Sequence, residues 1–372
     1  MIYFDNAATG GRKPDCVLTA LASAVKVCAN PGRSGHKLSL ACATAVQSCR
    51  RELNEYFDGY GIDRVAFTKN CSEALNVALL GVLEKGDHVV ASCMEHNSVL
   101  RPLEFLKKTN VITYDVLGLD ENGTLDYARL PTLLRKNTKL VAITSASNVT
   151  GTMPDLALVR SLLPKNVLLL CDGAQGAGHF DIKMRGASID LLTLAGHKGL
   201  FASQGVGALL FSERVSPKPL LFGGTGSISL SLDMPDFYPD RLECGTLPYP
   251  AILSLLEGVR YLTTHQADIK NRIESLTKYL LDGLYTLPRY QIYSKINPCG
   301  IVALAHHELQ SELIADRLSN EYDIAVRGGL HCAPLMHEGL STQENGLVRI
   351  SLSHYNKEWE IDELLRALSE IK

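Results

Sequence analysis

A chain of 372 residues, 46% hydrophobic and 21% charged, is long enough for one large core and a second smaller one, and has the make-up of a soluble globular protein. Its 37 Lys and Arg against 40 Asp and Glu leave a formal charge of −3, with no basic excess or basic block to offer a nucleic acid. The start "MIYFDNAATGGRKPD" lacks a signal-peptide pattern and no later run approaches the roughly 18 apolar residues of a membrane span, so a cytoplasmic protein without a membrane partner is expected.

In chain order, short Val, Ile and Leu-rich runs predict strands at Asp87–Met94, Val111–Val116, Lys139–Ser147, Val167–Ala174, Ile189–Gly196 and Gly205–Phe211. Helical patterns such as "SEALNVALLGVLEKG" and "DLALVRSLL" lie between them. The alternation predicts an α/β fold, a mostly parallel sheet with helices on both faces and ligands beyond the carboxyl ends of its strands. A long helical stretch follows from Pro250 to Leu287, broken by polar turns near Gln266. It leads into an α+β pattern: strand "GIVALAH", helix "LQSELIADRLSNEY", strands "AVRGG" and "LVRISLS", and the closing helix "KEWEIDELLRALSEI". The ten cysteines include no CxxC pair; neither a metal site nor a disulfide framework is expected, and most read as small buried hydrophobes.

Two segments carry chemistry. "LTLAGHKGL" sets Lys198 at the mouth of an apolar strand, where desolvation disfavours the ammonium and frees the amine to act as nucleophile or base. Asp172 ends the strand "VLLLC" 26 residues earlier, with Gln175 three residues on. Alone, Asp172 reads equally well as a helix N-cap. Paired with Lys198, it suits a carboxylate that keeps a pyridine nitrogen protonated, as pyridoxal phosphate requires, with Lys198 as the Schiff-base lysine.

The runs "DGAQ" and "AGHKGL…GVGALLF" resemble the class V, fold-type I pyridoxal-phosphate enzymes, and "RGGLHCAPLM" narrows the likeness to the SufS-type cysteine desulfurases and selenocysteine lyases. The resemblance runs from "YFDNAATG" through "NPGRSGHKLS", "FTKNCSEALN", "EHNSVLRP", "SNVTGT" and "ECGTLPYP" to "VRISLSHYN". It implies a large domain with a seven-stranded, mostly parallel sheet over residues 14–258 and a smaller α+β domain from 1–13 and 259–372 that carries the catalytic cysteine loop.

Position by position, the resemblance implies a phosphate held by the helix start at Cys71 and Ser72 and by His197, with His96 stacked on the ring and able to shuttle protons. Asn148 and Gln175 would donate to the ring oxygen, and Arg349, with Asn148, would take the substrate carboxylate. Cys332, after Arg327 and beside His331, would accept sulfur as a persulfide. Thr246 would reach the phosphate of a second subunit in a homodimer. The chain departs from the family at Ala195, where serine is common; at "NCS", where "GTT" is frequent; at Leu330; and in starting almost at the "YFDNAAT" motif. The expected activity is a desulfurase making L-alanine from L-cysteine, with a sulfur-acceptor protein as a further partner. A lyase acting on L-selenocysteine, a class V aminotransferase and a binding scaffold are the alternatives.

Overall fold

The structure is a computed structural model that describes residues 1–27 and 29–371. Its strands are β1 (Ile2–Tyr3), β2 (Val65–Thr68), β3 (Asp87–Ser92), β4 (Ile112–Leu117), β5 (Thr138–Thr144), β6 (Leu168–Asp172), β7 (Leu191–Ala195), β8 (Gly207–Phe211), β9 (Tyr290–Ile292), β10 (Ile301–His306), β11 (Ile324–Ala325) and β12 (Val348–Ser351). Among the described residues the large sheet has seven strands in the order β2-β8-β7-β6-β5-β3-β4. From β4 to β7 all neighbours are parallel, and β8 runs antiparallel to both β7 and β2.

Residues along these strands alternate between two apolar cores. Val141, Ile143, Leu169, Cys171, Leu192 and Leu194 pack on one face, against the helices Lys37–Tyr56 and Tyr249–Leu284. Leu140, Ala142, Leu168, Leu170, Leu191 and Ala195 pack on the other, against Cys71–Leu80 and Asn97–Lys108. Burial on both faces explains why these strands read as continuous apolar runs. The expected fold class is therefore the observed one.

The helix Tyr249–Leu284 is continuous over 36 residues, with no break near Gln266. Buried positions recur at helical spacing on both sides of that point, at Leu255, Val259 and Leu262 and again at Ile269, Ile273, Leu276 and Leu280. The polar side chains between them fold back on the helix: Thr263 Oγ1 donates to Val259 O at 3.0 Å and Thr264 Oγ1 to Tyr261 O at 3.1 Å. The expected change of domain at residue 259 lies inside this helix. Beside it Gly258 allows a close approach, since a Cβ there would lie 2.1 Å from Leu200 O, in the turn that follows Lys198.

A second antiparallel sheet, β12-β10-β9, and the parallel pair β1-β11 share a third core of Phe4, Leu304, Val348, Ile350 and Leu364. "AVRGG" is thus only in part a strand. Ile324 and Ala325 pair with the N-terminus, and Arg327 forms a lone bridge to Arg349. β2 and β9, with four and three residues, carry too little periodicity to have been read from the sequence. Among the described residues no helix is long and apolar enough to cross a membrane, and no group of three His, Cys, Asp or Glu could hold a metal ion.

Candidate active site

The carboxyl ends of β3, β5, β6 and β7 converge on a cavity. It brings together Cys71, Ser72, His96, Asn148, Asp172, Gln175, His197 and Lys198. Asn70 caps the helix Cys71–Leu80, its Oδ1 accepting from Glu73 N at 2.9 Å. The N–H groups of Cys71 and Ser72 are left pointing out of the helix start, a ready anion site. Gly207 allows this turn to lie on the sheet, because a Cβ there would meet the Asn70 carbonyl carbon at 2.6 Å.

At the cavity's inner end Asp172 Oδ1 accepts from Ala174 N at 2.9 Å. The Cys71 thiol lies 3.4 Å from Asp172 Oδ1 and 3.4 Å from Thr193 Oγ1, so the Cys71 side chain faces the carboxylate while its backbone faces the helix start. Burial pulls the Lys198 ammonium below its ordinary pKa, opposed by Asp172 and Cys71 and reinforced by Arg349 and Arg327. Its amine makes no hydrogen bond or ion pair with any described residue.

Two histidines flank the amine. His96 caps its helix, with Ser98 N donating to Nδ1 at 3.0 Å, so a neutral His96 carries its proton on Nε2. Burial, with Lys198 beside it, lowers its pKa to about 4. His197 Nδ1 pairs with Thr9 Oγ1 at 3.0 Å, and burial, Lys198 and Lys13 bring it to about 4 as well. Gln175 Nε2 donates to Ala7 O at 3.1 Å and Asn148 Nδ2 to His331 O at 2.7 Å, which leaves each amide one N–H to offer a ligand.

Three of the expected residues lie outside the cavity. Thr246 accepts from Asn30 Nδ2 at 3.2 Å and lines a separate depression beside Lys69 and Glu73. Arg349 is 1% exposed; its Nη1 donates to Asn148 O at 3.0 Å and its Nη2 to Asp5 Oδ1 at 2.7 Å, while Nε has no partner. Cys332 opens onto an outer groove that shares Ser72, His96 and Ser98 with the cavity as a common wall. Arg327 Nη2 stands 3.8 Å from its sulfur, a fixed positive charge. His331 and Cys332 both have left-handed backbones, at φ 52° and 57°, a conformation that costs non-glycine residues about 1–2 kcal/mol each.

Sequence reasoning did not find Asp5, whose carboxylate is paired with Arg349, or Glu95 beneath the cavity. Glu95 is fully buried, accepts from Ser92 Oγ at 2.5 Å and Thr144 N at 2.7 Å, and is pushed up to about 8 by burial. A charged residue directly after an apolar strand was the available signal for each.

These buried groups set a pH dependence. His96, His179, His197 and His354 are held at about 4 and His331 at about 2, all by burial first, against an unfolded value near 6.5. The unfolded chain therefore takes up protons first as the pH falls through 6.5, and stability drops progressively toward pH 4. Glu95 works in the opposite sense: it is raised from 4.5 to about 8, so its contribution is lost as the pH rises toward 8. The histidines outnumber it below 6.5, and denaturant unfolding across pH 4.5–8 is expected to show greatest stability between about pH 6 and 7. A stability that rises steadily from pH 6 down to 4.5 would contradict the neutral-histidine site.

A cavity with a carboxylate at its inner end, a free amine and a helix start rich in N–H donors fits the ring nitrogen, aldehyde and phosphate of pyridoxal phosphate. A model of the class-V aminotransferase family matches residues 2–364. The chain is 31% identical to a probable cysteine desulfurase of Pyrococcus abyssi, over 100% of this chain and 94% of that one. It is 30% identical to a cysteine desulfurase of Pectobacterium atrosepticum, over 100% and 93%. Among solved structures, the apo cysteine desulfurase of Thermococcus onnurineus superposes with a TM-score of 0.89 at 29% identity, covering 99% of this chain and 94% of that one.

Proposed function

The chain belongs to the class-V aminotransferase family, and on that premise we propose that it is a cysteine desulfurase using pyridoxal phosphate, L-cysteine as substrate and Cys332 as sulfur acceptor. The observation that carries this reading is the arrival of a thiol from the C-terminal half at the His96 wall of the Lys198 cavity. An aminotransferase has no use for that thiol.

Lys198 would hold the cofactor through its amine, Asp172 its ring nitrogen, and Ser72, His197 and the N–H groups at Cys71 and Ser72 its phosphate; Asn148 and Gln175 would face its ring oxygen. Once bound, the cofactor supplies an electron sink that lets the substrate Cα release its proton and weakens the Cβ–S bond. Arg349 would take the substrate carboxylate, and Lys198 Nζ, released when the substrate amine takes its place, would remove the Cα proton; burial favours the neutral amine that this needs. Cys332 Sγ attacks the substrate sulfur from the far side of the shared wall. An S–S bond forms, the Cβ–S bond breaks, Cβ gains a proton, Lys198 returns a proton to Cα, and the products are L-alanine and a Cys332 persulfide. His96 offers its Nε2–H at that wall. Persulfide sulfur would leave through the outer groove, lined by Arg101, Pro102 and Phe105, to an acceptor protein.

Thr246 is away from its own cavity, on a stretch that also exposes Phe222, Leu230 and Leu232. That placement supports a homodimer in which Thr246 completes the partner's phosphate site. Incubation with L-cysteine is expected to release alanine and to add one sulfur atom to the Cys332 peptide by mass spectrometry. Amino-group exchange with a keto acid and no sulfur on Cys332 would make it an aminotransferase, and turnover of L-selenocysteine alone would make it a lyase.

Arg349→Lys keeps a charge but replaces a planar fork, whose two Nη atoms reach Asn148 and Asp5 separately, with a single nitrogen that cannot span both and pair with a carboxylate. Apparent affinity for L-cysteine is expected to fall roughly tenfold or more, at about 1.4 kcal/mol per decade. Steady-state kinetics with an unchanged KM would remove Arg349 from this role.

A further inference from the structure

Asn148 is joined to both ends of the reaction. Its backbone carbonyl accepts from Arg349 Nη1 at 3.0 Å, while its side-chain Nδ2 donates to the carbonyl of His331 at 2.7 Å. The next carbonyl along, that of Cys332, accepts from Asn97 N at 2.7 Å. The two left-handed residues that present the thiol are therefore pinned at consecutive carbonyls, one from the end of β5 and one from the helix start beside His96. The His331 ring pairs through Nε2 with Arg327 O at 3.2 Å and stacks on the His337 ring at 5.8 Å, and its Nδ1 is buried without a partner. Arg327 in turn is bridged to Arg349 across the small sheet. Left-handed backbone at successive non-glycine residues persists only where surrounding contacts hold it.

Resting on the desulfurase reading for its purpose, we infer that Asn148 is a positioning residue for the Cys332 thiol: its side chain holds the nucleophile's loop closed from the substrate side. A residue expected only to face the cofactor and the substrate thus also sets where the sulfur acceptor stands. Because the same residue accepts from Arg349 through its carbonyl, the carboxylate fork and the nucleophile are referred to one point in the fold. The side-chain link is the one a substitution can cut.

Asn148→Ala and Asn148→Asp both delete the N–H donor to His331, and Asp keeps the shape. Two measurements on the purified full-length chain read the loop directly: hydrogen exchange of residues 328–333, and the rate at which iodoacetamide alkylates Cys332, followed by mass spectrometry of its peptide. Both variants are expected to exchange and alkylate about five- to tenfold faster there, the scale of one lost hydrogen bond, with the helix Ser311–Tyr322 exchanging as before. Unaltered exchange and alkylation at the loop would overturn the assignment. General loss of protection in both variants would overturn it equally, since a positioning contact does not carry the fold. Neither readout depends on turnover. If the unaltered chain fails to release alanine while the variants loosen the loop, the desulfurase reading falls and the role of Asn148 stands.

Discussion

Lys198→Ala is expected to abolish release of alanine from L-cysteine while leaving the fold intact. In the proposed reaction the amine both holds the cofactor covalently and takes the Cα proton, and removing a general base alone costs about 10²–10⁴ in rate. Both losses fall on one residue, so turnover should sink below roughly a thousandth of the original, about 4 kcal/mol of barrier. Stability should move little or rise. The ammonium form of Lys198 is disfavoured by burial, and no described residue pairs with the amine, so alanine removes a desolvated polar group rather than a supporting contact. Borohydride reduction of the unaltered enzyme followed by peptide mapping is the direct check: the cofactor label should sit on Lys198. A label on another lysine, or substantial turnover by Lys198→Ala, would move the catalytic centre elsewhere.

The contrast between Lys198 and Arg349 shows what was legible in the sequence. Lys198 and Asp172 stand beside the ends of apolar strands, and in a parallel sheet buried on both faces that position alone points a side chain at the ligand end of the fold. Their pairing needed no knowledge beyond two short runs. Arg349 read as an ordinary alternating strand charge because its partner, Asp5, lies 344 residues away in the chain, where the first strand joins the small sheet. Non-local pairings of that kind leave no periodicity behind. The same holds for Cys332, whose loop is held by Asn97 and Asn148, and whose role came only from resemblance. The imagined break near Gln266 failed for a different reason. A cluster of Thr, His and Gln reads as a turn when side chains are assumed to face water, yet two of these threonines bond back to helix carbonyls while Ile269 and Ile273 keep the inward stripe going.

Cys332→Ser is expected to separate the desulfurase from every other enzyme that could be built on this cavity. Serine fits the loop, since it is slightly smaller than cysteine and leaves the pinning contacts to the Cys332 and His331 carbonyls untouched. None of the groups that would hold the cofactor changes, because Asp172, His197 and Lys198 lie on the large sheet and its turns, across the His96 wall. The variant should therefore bind pyridoxal phosphate as before and still change its visible absorbance when L-cysteine is added. It should release almost no alanine or sulfide, because near pH 7 a serine hydroxyl is a far poorer nucleophile than a thiolate, and a loss of about a thousandfold corresponds to only about 4 kcal/mol of barrier. L-Selenocysteine is expected to lose less, since selenide leaves more readily than sulfide and depends less on the attacking thiol. The measurement is alanine and chalcogenide release from the two substrates by the two proteins, with the spectral change as the binding control. Full alanine production from L-cysteine by Cys332→Ser would end the persulfide mechanism for this chain, because the only described thiols lining the cavity and its outer groove are Cys71 and Cys332. The Cys71 thiol faces Asp172, and burial raises its pKa, which disfavours the thiolate a sulfur acceptor needs.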